Sequence, residues 1–361
     1  MPALPPPGVV RTVEGLRSGL QRLTRQLAPA PFALLELAMG SMVTQAIYAA
    51  AELRIAEELE DGPLTPAQIA ERVDADPESV YRLLRLLASY SVFAEQKDGR
   101  FKLTPMADAL RADAPMSMRD IAVLMGHPTH WEDWGHLVDS VRTGEPSLPK
   151  LRGMGAFEYL EANPEYGDVF IRGMGNMSDT ETDPVLAAYD FSRHRTIVDF
   201  CGGRGGLLAG ILKRTPGARG ILSDPRVGTN GAAEFLAEAG VADRCTTADG
   251  GLFDAVPAGG DAYVLKHIVH DWPEHQALEI LRNVRAGIAP DGRLLIIEMV
   301  PPTAGNAPHS GKQVDLWLLL LVGGKERNAP QYAELLKAAG FELVKVTQTA
   351  AAVSIVEARP V

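Results

Sequence analysis

Asp199 is followed by Cys201-Gly-Gly-Arg-Gly-Gly206, and a second acid, Asp224, stands eighteen residues beyond Gly206. An apolar run, Thr196 to Phe200, leads into the glycines, and Leu207 to Lys213 reads as a helix. A second run, Gly220-Ile-Leu-Ser223, ends at Asp224. Strand, glycine turn, helix, strand and acid build a pocket for a nucleoside-bearing cofactor. The turn lets backbone approach the ligand, and the second acid can take both ribose hydroxyls. The turn opens on Cys201, where glycine is the usual choice, so any positive φ there is strained.

Two further groups of residues could carry chemistry. Leu265-Lys-His-Ile-Val-His-Asp-Trp272 follows the apolar run Asp261 to Leu265, at the strand end where such sheets bind ligands. Its His270 could act as a general base, because an imidazole titrates near neutrality; it could equally cap the next helix. Lys266 is either a ligand contact or a surface lysine. Glu298 closes Leu294-Leu-Ile-Ile-Glu298 and needs a partner, since burying a carboxylate alone is costly. Glu326, in Gly323-Gly-Lys-Glu-Arg-Asn328, reads by itself as a solvated loop charge, although either acid could orient an imidazole through its second nitrogen.

The elements around these residues fall into two patterns. From Arg195 onward, strands at 196–200, 220–223, 262–265, 293–298, 341–347 and 352–357 alternate with helices at 205–214, 229–239, 274–288 and 329–339. That alternation implies a parallel sheet with crossover helices. Residues 30 to about 185 read as nearly all helix. Thr65 and Asp76 each precede a proline and serve as N-caps. Val92 to Leu103 forms a hairpin around Asp98-Gly99. Helix, helix and hairpin make a winged helix, but Asp74, Asp76 and Glu78 crowd the start of its second helix and would repel phosphate, leaving only Arg82 and Arg85 to attract it. The module therefore reads as a packing and dimerisation unit. The large apolar residues of the 117–180 region read first as core at their helical spacing, but Phe170 and Met174 could instead wall a pocket for a flat aromatic substrate.

Composition narrows the function classes. A net charge of −11 over 361 residues argues against nucleic acid as a partner. No continuous run of about 18 apolar residues exists, so no membrane partner is expected; Leu316 to Val322, the most apolar segment, is far too short and reads as a buried element. Two cysteines, Cys201 and Cys245, lack metal spacing and imply a reducing, cytoplasmic setting. Val10, Val13, Leu16, Leu20, Leu23 and Leu27 recur at helical spacing, as in an amphipathic arm that packs on a partner.

Taken in order, Val198-Asp-Phe-Cys-Gly-Gly-Arg-Gly205, Leu265 to Trp272, Gly292 to Glu298 and Gly323 to Arg327 resemble the class I S-adenosylmethionine-dependent O-methyltransferases of the plant caffeate and bacterial polyketide-tailoring type. The likeness extends to Asp98-Gly-Arg-Phe-Lys-Leu-Thr-Pro105 and Phe157-Glu-Tyr-Leu160, and so covers nearly the whole chain. It implies an α/β fold: a Rossmann-like, mostly parallel sheet with helices on both faces, preceded by an all-helical winged-helix dimerisation domain. The expected organisation is an arm at 1–29, the dimerisation domain at 30–115, a helical linker and substrate-pocket segment at 116–185, and the cofactor-binding catalytic domain at 186–361. The resemblance further implies a homodimer, S-adenosyl-L-methionine as cofactor, no metal, and methylation of a hydroxyl on a phenolic or polyketide-like small molecule. It puts His270 on the family's catalytic base, Glu298 and Glu326 on the flanking carboxylates, and Phe170 and Met174 on the pocket wall. It puts Cys201, Gly203, Asp224, Gly251, Leu252 and Lys266 on the cofactor.

Three departures from the family pattern fall on the cofactor side. Cys201 replaces a glycine. Gly251 stands where the family has an acid beside the adenosine, with Asp249 the nearest acid. The family's Asp-Leu-Pro-His is Asp224-Pro225-Arg226 here. The alternative expectation is therefore a member that keeps the fold but binds cofactor weakly, or that runs hydroxylation or decarboxylation instead.

Overall fold

The structure, a computed structural model, describes residues 6–225, 231–254 and 256–361. Arg226, the last of the three departures, lies outside the described residues. The chain divides into two compact units. One takes in the chain up to Ser18, Val138–Lys150 and Glu181–Val361; the other takes in Gly19–Leu137 and Leu151–Thr180.

In the second unit, helices Pro66–Arg72 and Pro77–Ser89 precede an antiparallel hairpin of β1 (Phe93–Glu95) and β2 (Phe101–Leu103). Both N-caps are as read from sequence. Thr65 accepts from the Gln68 N–H, and the Gln68 side chain returns the bond to the Thr65 N–H, closing a capping box. The Asp76 carboxylate accepts from the Ser79 N–H, so this acid is spent on starting the helix. Ile55, Ile69, Leu84, Leu87, Phe93 and Phe101 form the core beneath.

Helix Ala30–Glu52 is the longest apolar element beside the expectation of no long apolar run. By length and composition it is apolar enough to cross a membrane, the one such helix among the described residues. The apolar run is broken by Glu36, so run-counting misses it, but small residues keep the mean hydropathy high. Its C-terminal part is anchored in the core through Ala46, Ala50 and Ala51, whereas Phe32, Leu34, Leu35, Leu37, Met39 and Met42 are exposed. Helix Pro7–Leu27 likewise exposes Val9, Val13, Leu16, Leu20, Leu23 and Leu27.

The first unit is built on a seven-stranded sheet. Its strands are β3 (Thr196–Phe200), β4 (Arg219–Ser223), β5 (Cys245–Ala248), β6 (Ala262–Lys266), β7 (Arg293–Glu298), β8 (Phe341–Gln348) and β9 (Ser354–Pro360), in the order β5-β4-β3-β6-β7-β9-β8. The first five run parallel, and β9 and β8 close the sheet antiparallel. The central strands are mostly apolar because both faces are covered. Ile197, Val264, Leu295 and Ile297 pack into the core on one face, and Val198, Tyr263, Leu265, Leu294 and Ile296 into the core on the other. Strand order reverses between β3 and β6, so a crevice must open at their carboxyl ends. The glycine loop and the Lys266–Trp272 segment both start there.

Two elements were absent from the sequence reading. Edge strand β5 is four residues, Cys-Thr-Thr-Ala, with both threonines exposed, and offers no apolar alternation. Leu316–Val322 lies mostly within helix Gly311–Leu321, whose Leu318 and Leu320 are buried while Leu316 is exposed.

Candidate active site

The glycine loop begins where β3 ends. Its backbone turns left-handed at Cys201 (φ 58°), Gly203 (58°) and Gly205 (84°). The Cys201 N–H donates to the Ser223 carbonyl at 2.6 Å, which ties the loop to β4. The Gly203 N–H donates to the Asp224 carboxylate at 3.0 Å. Gly202 is the position where a side chain is sterically barred, since a Cβ there would lie 2.4 Å from the Asp199 carboxyl. Asp199 is buried, and its Oδ1 has no hydrogen-bond partner among the described residues. Burial pushes its pKa up to about 7, with the Asp224 charge adding and Lys266 opposing. A cradle of closely approached backbone above an unsatisfied acceptor fits a cofactor that carries donor groups.

The other cofactor-side residues are placed as follows. Asp224 is buried at the tip of β4. Lys266 ends β6, nearly buried, with Nζ 3.0 Å from Glu181 Oε2. Asp254 accepts from the Gly251 N–H at 2.8 Å, so an acid three residues later folds back onto this glycine, while Asp249 is exposed. Leu252 packs against the lower core and accepts from Asn283 through its carbonyl. Phe170 and Met174 sit one turn apart on helix Pro164–Ala188, half-buried, in the part belonging to the other unit.

The Lys266–Trp272 segment leaves β6 through His267, which holds a left-handed φ of 54°. Glu298, fully buried at the end of β7, captures the segment: its Oε1 accepts from the N–H groups of Ile268 and His270, both at 3.1 Å. Its Oε2 accepts from the buried Tyr332 hydroxyl. The sequence reading had either acid orienting the imidazole. Instead Glu298 orients the backbone that carries it, and Glu326 alone of the two bonds the ring, with Oε1 2.9 Å from His270 Nδ1. His270 does not cap the following helix, whose N-cap is Pro273 without a side-chain bond.

Glu326 is no solvated loop charge; its side chain is 0% exposed. Three contacts bring it in. Gly324 lies against the His270 carbonyl, where a Cβ would sit 2.0 Å away, so no other residue fits. The Lys325 N–H donates to that same carbonyl at 2.9 Å. Arg327, fully buried, donates to the carbonyls of Val269 and Trp272. The Gly-Gly-Lys-Glu-Arg segment is thus a clip laid along the histidine turn.

Burial works against a charged His270, but the nearby carboxylates of Glu298, Asp271 and Glu326 outweigh it and push the imidazole up to about 10. Burial raises Glu326 to about 6, with Glu298 and Asp315 adding and His270 opposing. Burial likewise raises Asp271, whose Oδ1 lies 3.5 Å from His270 Nε2, to about 6. The group titrates as a coupled cluster. His270, Glu298 and Glu326 bring ligand atoms within 4.8 Å of one another, close enough for a metal ion. Hydrogen bonds already engage both Glu298 oxygens, His270 Nδ1 and Glu326 Oε1.

Sequence reasoning missed Asp271, Tyr332, Arg327 and Glu181 as members of this region. Asp271 and Arg327 were within the motifs themselves. Tyr332 and Glu181 carry no local signal, being single polar residues inside helices.

An O-methyltransferase family model matches residues 134–342, and an O-methyltransferase dimerisation model matches residues 35–123. The chain is 41% identical to the phenazine O-methyltransferase PhzM of Lysobacter antibioticus, over 91% of this chain and 96% of that one. The crystal structure of LaPhzM superposes with a TM-score of 0.87 at 41% identity, covering 92% of this chain and 100% of that one. The O-methyltransferase NcsB1 from neocarzinostatin biosynthesis, in complex with S-adenosylmethionine and 2-hydroxy-5-methyl naphthoic acid, gives 0.75 at 30% identity, covering 88% and 96%.

Cys201 generates a test. A left-handed residue with a Cβ costs roughly 1–2 kcal/mol, against ~0.5–1 kcal/mol for the extra chain entropy of glycine. Cys201→Gly is expected to raise stability in urea denaturation by roughly 0.5 kcal/mol. A loss of stability would show that the thiol's contacts, not the backbone, dominate this position.

With this fold, these motifs and these relatives, the chain belongs to the S-adenosylmethionine-dependent O-methyltransferases of the polyketide- and phenazine-tailoring type.

Proposed function

We propose that the enzyme methylates a hydroxyl group on an aromatic small molecule, with His270 as general base. The observation that carries this reading is the 2.9 Å bond from His270 Nδ1 to a fully buried Glu326. An ionised carboxylate only accepts, so Nδ1 carries the hydrogen and Nε2 is left as the proton-accepting atom. Phenols ionise near pH ~10, so a base raised to about 10 takes a phenolic proton with little change in free energy. Glu298 and the clip from Gly323 to Arg327 hold the ring so that this transfer needs no rearrangement.

When bound, S-adenosylmethionine supplies an electrophilic methyl group on a sulfonium. Asp224 is suited to its ribose hydroxyls, the backbone of Cys201 to Gly203 to its methionine portion, and Gly251 and Leu252 to its adenosine side. Lys266 completes this side of the site through its charge. Phe170 and Met174 are proposed to wall the substrate pocket. Relatives named for phenazine and naphthoic acid chemistry point to a planar, hydroxylated ring system as substrate.

We also propose a homodimer built by residues 30–115, with the 1–29 arm adding to it. A dimerisation-family match over 35–123 and the exposed apolar faces of Pro7–Leu27 and Ala30–Glu52 support this. A large exposed apolar surface on a folded unit calls for a cover, and a second copy provides one. Leu37→Glu is expected to shift the molar mass in light scattering from dimer toward monomer; an unchanged dimer would place the interface elsewhere.

The mechanism is tested with hydroxylated phenazines and naphthoic acids as probes. His270→Ala is expected to lower kcat by about 10²–10⁴-fold while calorimetry shows S-adenosylhomocysteine binding as in the wild type. Retained turnover would remove His270 as base.

The pH dependence follows from the raised imidazole. The productive complex holds one proton fewer than imidazolium plus phenol, so kcat/KM should climb from pH ~6 to ~9 rather than level off near the ordinary imidazole value of ~6.5. A plateau reached by pH ~7 would contradict it. For stability the sign is opposite. The stabilising contribution of His270 is fully present below about 6.5 and is lost as pH rises through about 10.

A further inference from the structure

Glu181 sits in the last turns of helix Pro164–Ala188 and is 2% exposed. One of its oxygens, Oε2, serves two partners at the start of the catalytic segment: Lys266 Nζ at 3.0 Å and His267 Nε2 at 2.8 Å. The other, Oε1, is buried with no hydrogen-bond partner among the described residues. The methyl-transfer chemistry described above uses neither this acid nor His267.

The two partners lead in different directions. The Lys266 ammonium acts on Asp199, the acid beneath Gly202 in the glycine loop. His267 presents its ring to the ring of His270, with centroids 5.2 Å apart and planes inclined at 30°. His267 also holds a left-handed backbone conformation, uncommon in residues other than glycine and helped by a fixed side-chain contact. The charge-assisted bond to a buried carboxylate is of the strength required. Burial disfavours the Glu181 anion, but His267 and Lys266 reverse that and hold it ionised at neutral pH.

We infer that Glu181 is a positioning residue for both halves of the reaction: through Lys266 it sets the charge under the cofactor loop, and through His267 it fixes the wall against which the His270 imidazole stands. An ionised carboxylate cannot donate, so His267 Nε2 carries the hydrogen. The inference rests on the reading of His270 as base only for its effect on turnover; the binding and spectroscopic effects are independent of it.

The test uses the full-length protein and Glu181→Gln, which keeps the shape and removes the charge. Three outcomes are expected. Calorimetry with S-adenosylhomocysteine shows Kd rising about tenfold, and kcat falls about tenfold with the KM of the aromatic substrate little changed. In ¹⁵N-detected histidine NMR, the Nε2–H form of His267 gives way to a tautomer mixture.

His267→Asn separates the two arms and stands in if the first variant does not fold, because asparagine tolerates the left-handed backbone. It leaves the Lys266–Glu181 pair, so kcat should fall while Kd stays within twofold. Wild-type Kd, kcat and His267 tautomer in Glu181→Gln, with only a lower Tm, would overturn the inference. So would a His267→Asn variant with wild-type kcat, or one whose Kd weakens as much as its kcat. If His270→Ala kept its activity, the base assignment would fail while the Kd and NMR results for Glu181 stood on their own.

Discussion

The buried Glu298 carboxylate is the constraint on which the rest of the site depends. It ends a central strand, fully enclosed, at a point where an unpaired anion would cost several kcal/mol. Two converging backbone N–H groups and the Tyr332 hydroxyl satisfy it. To supply those N–H groups the chain after β6 must turn sharply, and the left-handed His267 is where it does so. Once it has turned, His270 faces the Gly323–Arg327 segment, where Glu326 bonds its ring. The acid therefore fixes the backbone that carries His270 without bonding its ring.

The same logic accounts for the density of charge around the imidazole. Three carboxylates near one histidine would repel one another in isolation, and burial would drive each toward neutrality. A protonated histidine offsets part of that repulsion. The carboxylates raise the imidazole, whereas burial raises Glu326 and Asp271 against the lowering effect of His270, so each group's ionisation is conditional on the others. The cluster's counterpart at the glycine loop is Asp199, also buried and also raised, with Lys266 between the two regions.

Much of this was legible in the sequence, for identifiable reasons. Strands β3, β6 and β7 are mostly apolar because both faces are buried, and the Thr65 and Asp76 caps announce themselves by the proline that follows. The glycine loop and Asp224 are local signals, and Cys201 proves to occupy the positive φ that its position required. What failed to show were contacts made across long stretches of chain. Glu326 looks like a loop charge until the fold brings Gly324 against the His270 carbonyl, 54 residues earlier in the chain. Glu181 lies 86 positions from its partner His267 and sits on a helix with no distinguishing pattern. Strand β5 escaped notice because an exposed edge strand of four residues needs no apolar alternation.

The proposed role of His270 is tested most directly by its protonation. Histidine-selective ¹⁵N labelling, with the resonance assigned by its absence in His270→Ala, allows this ring to be titrated alone. The account predicts an Nδ1–H form held toward Glu326 and an imidazolium that persists well above the ordinary value of ~6.5. A ring that titrates at or below ~6.5, or that carries its single hydrogen on Nε2 when neutral, would contradict it.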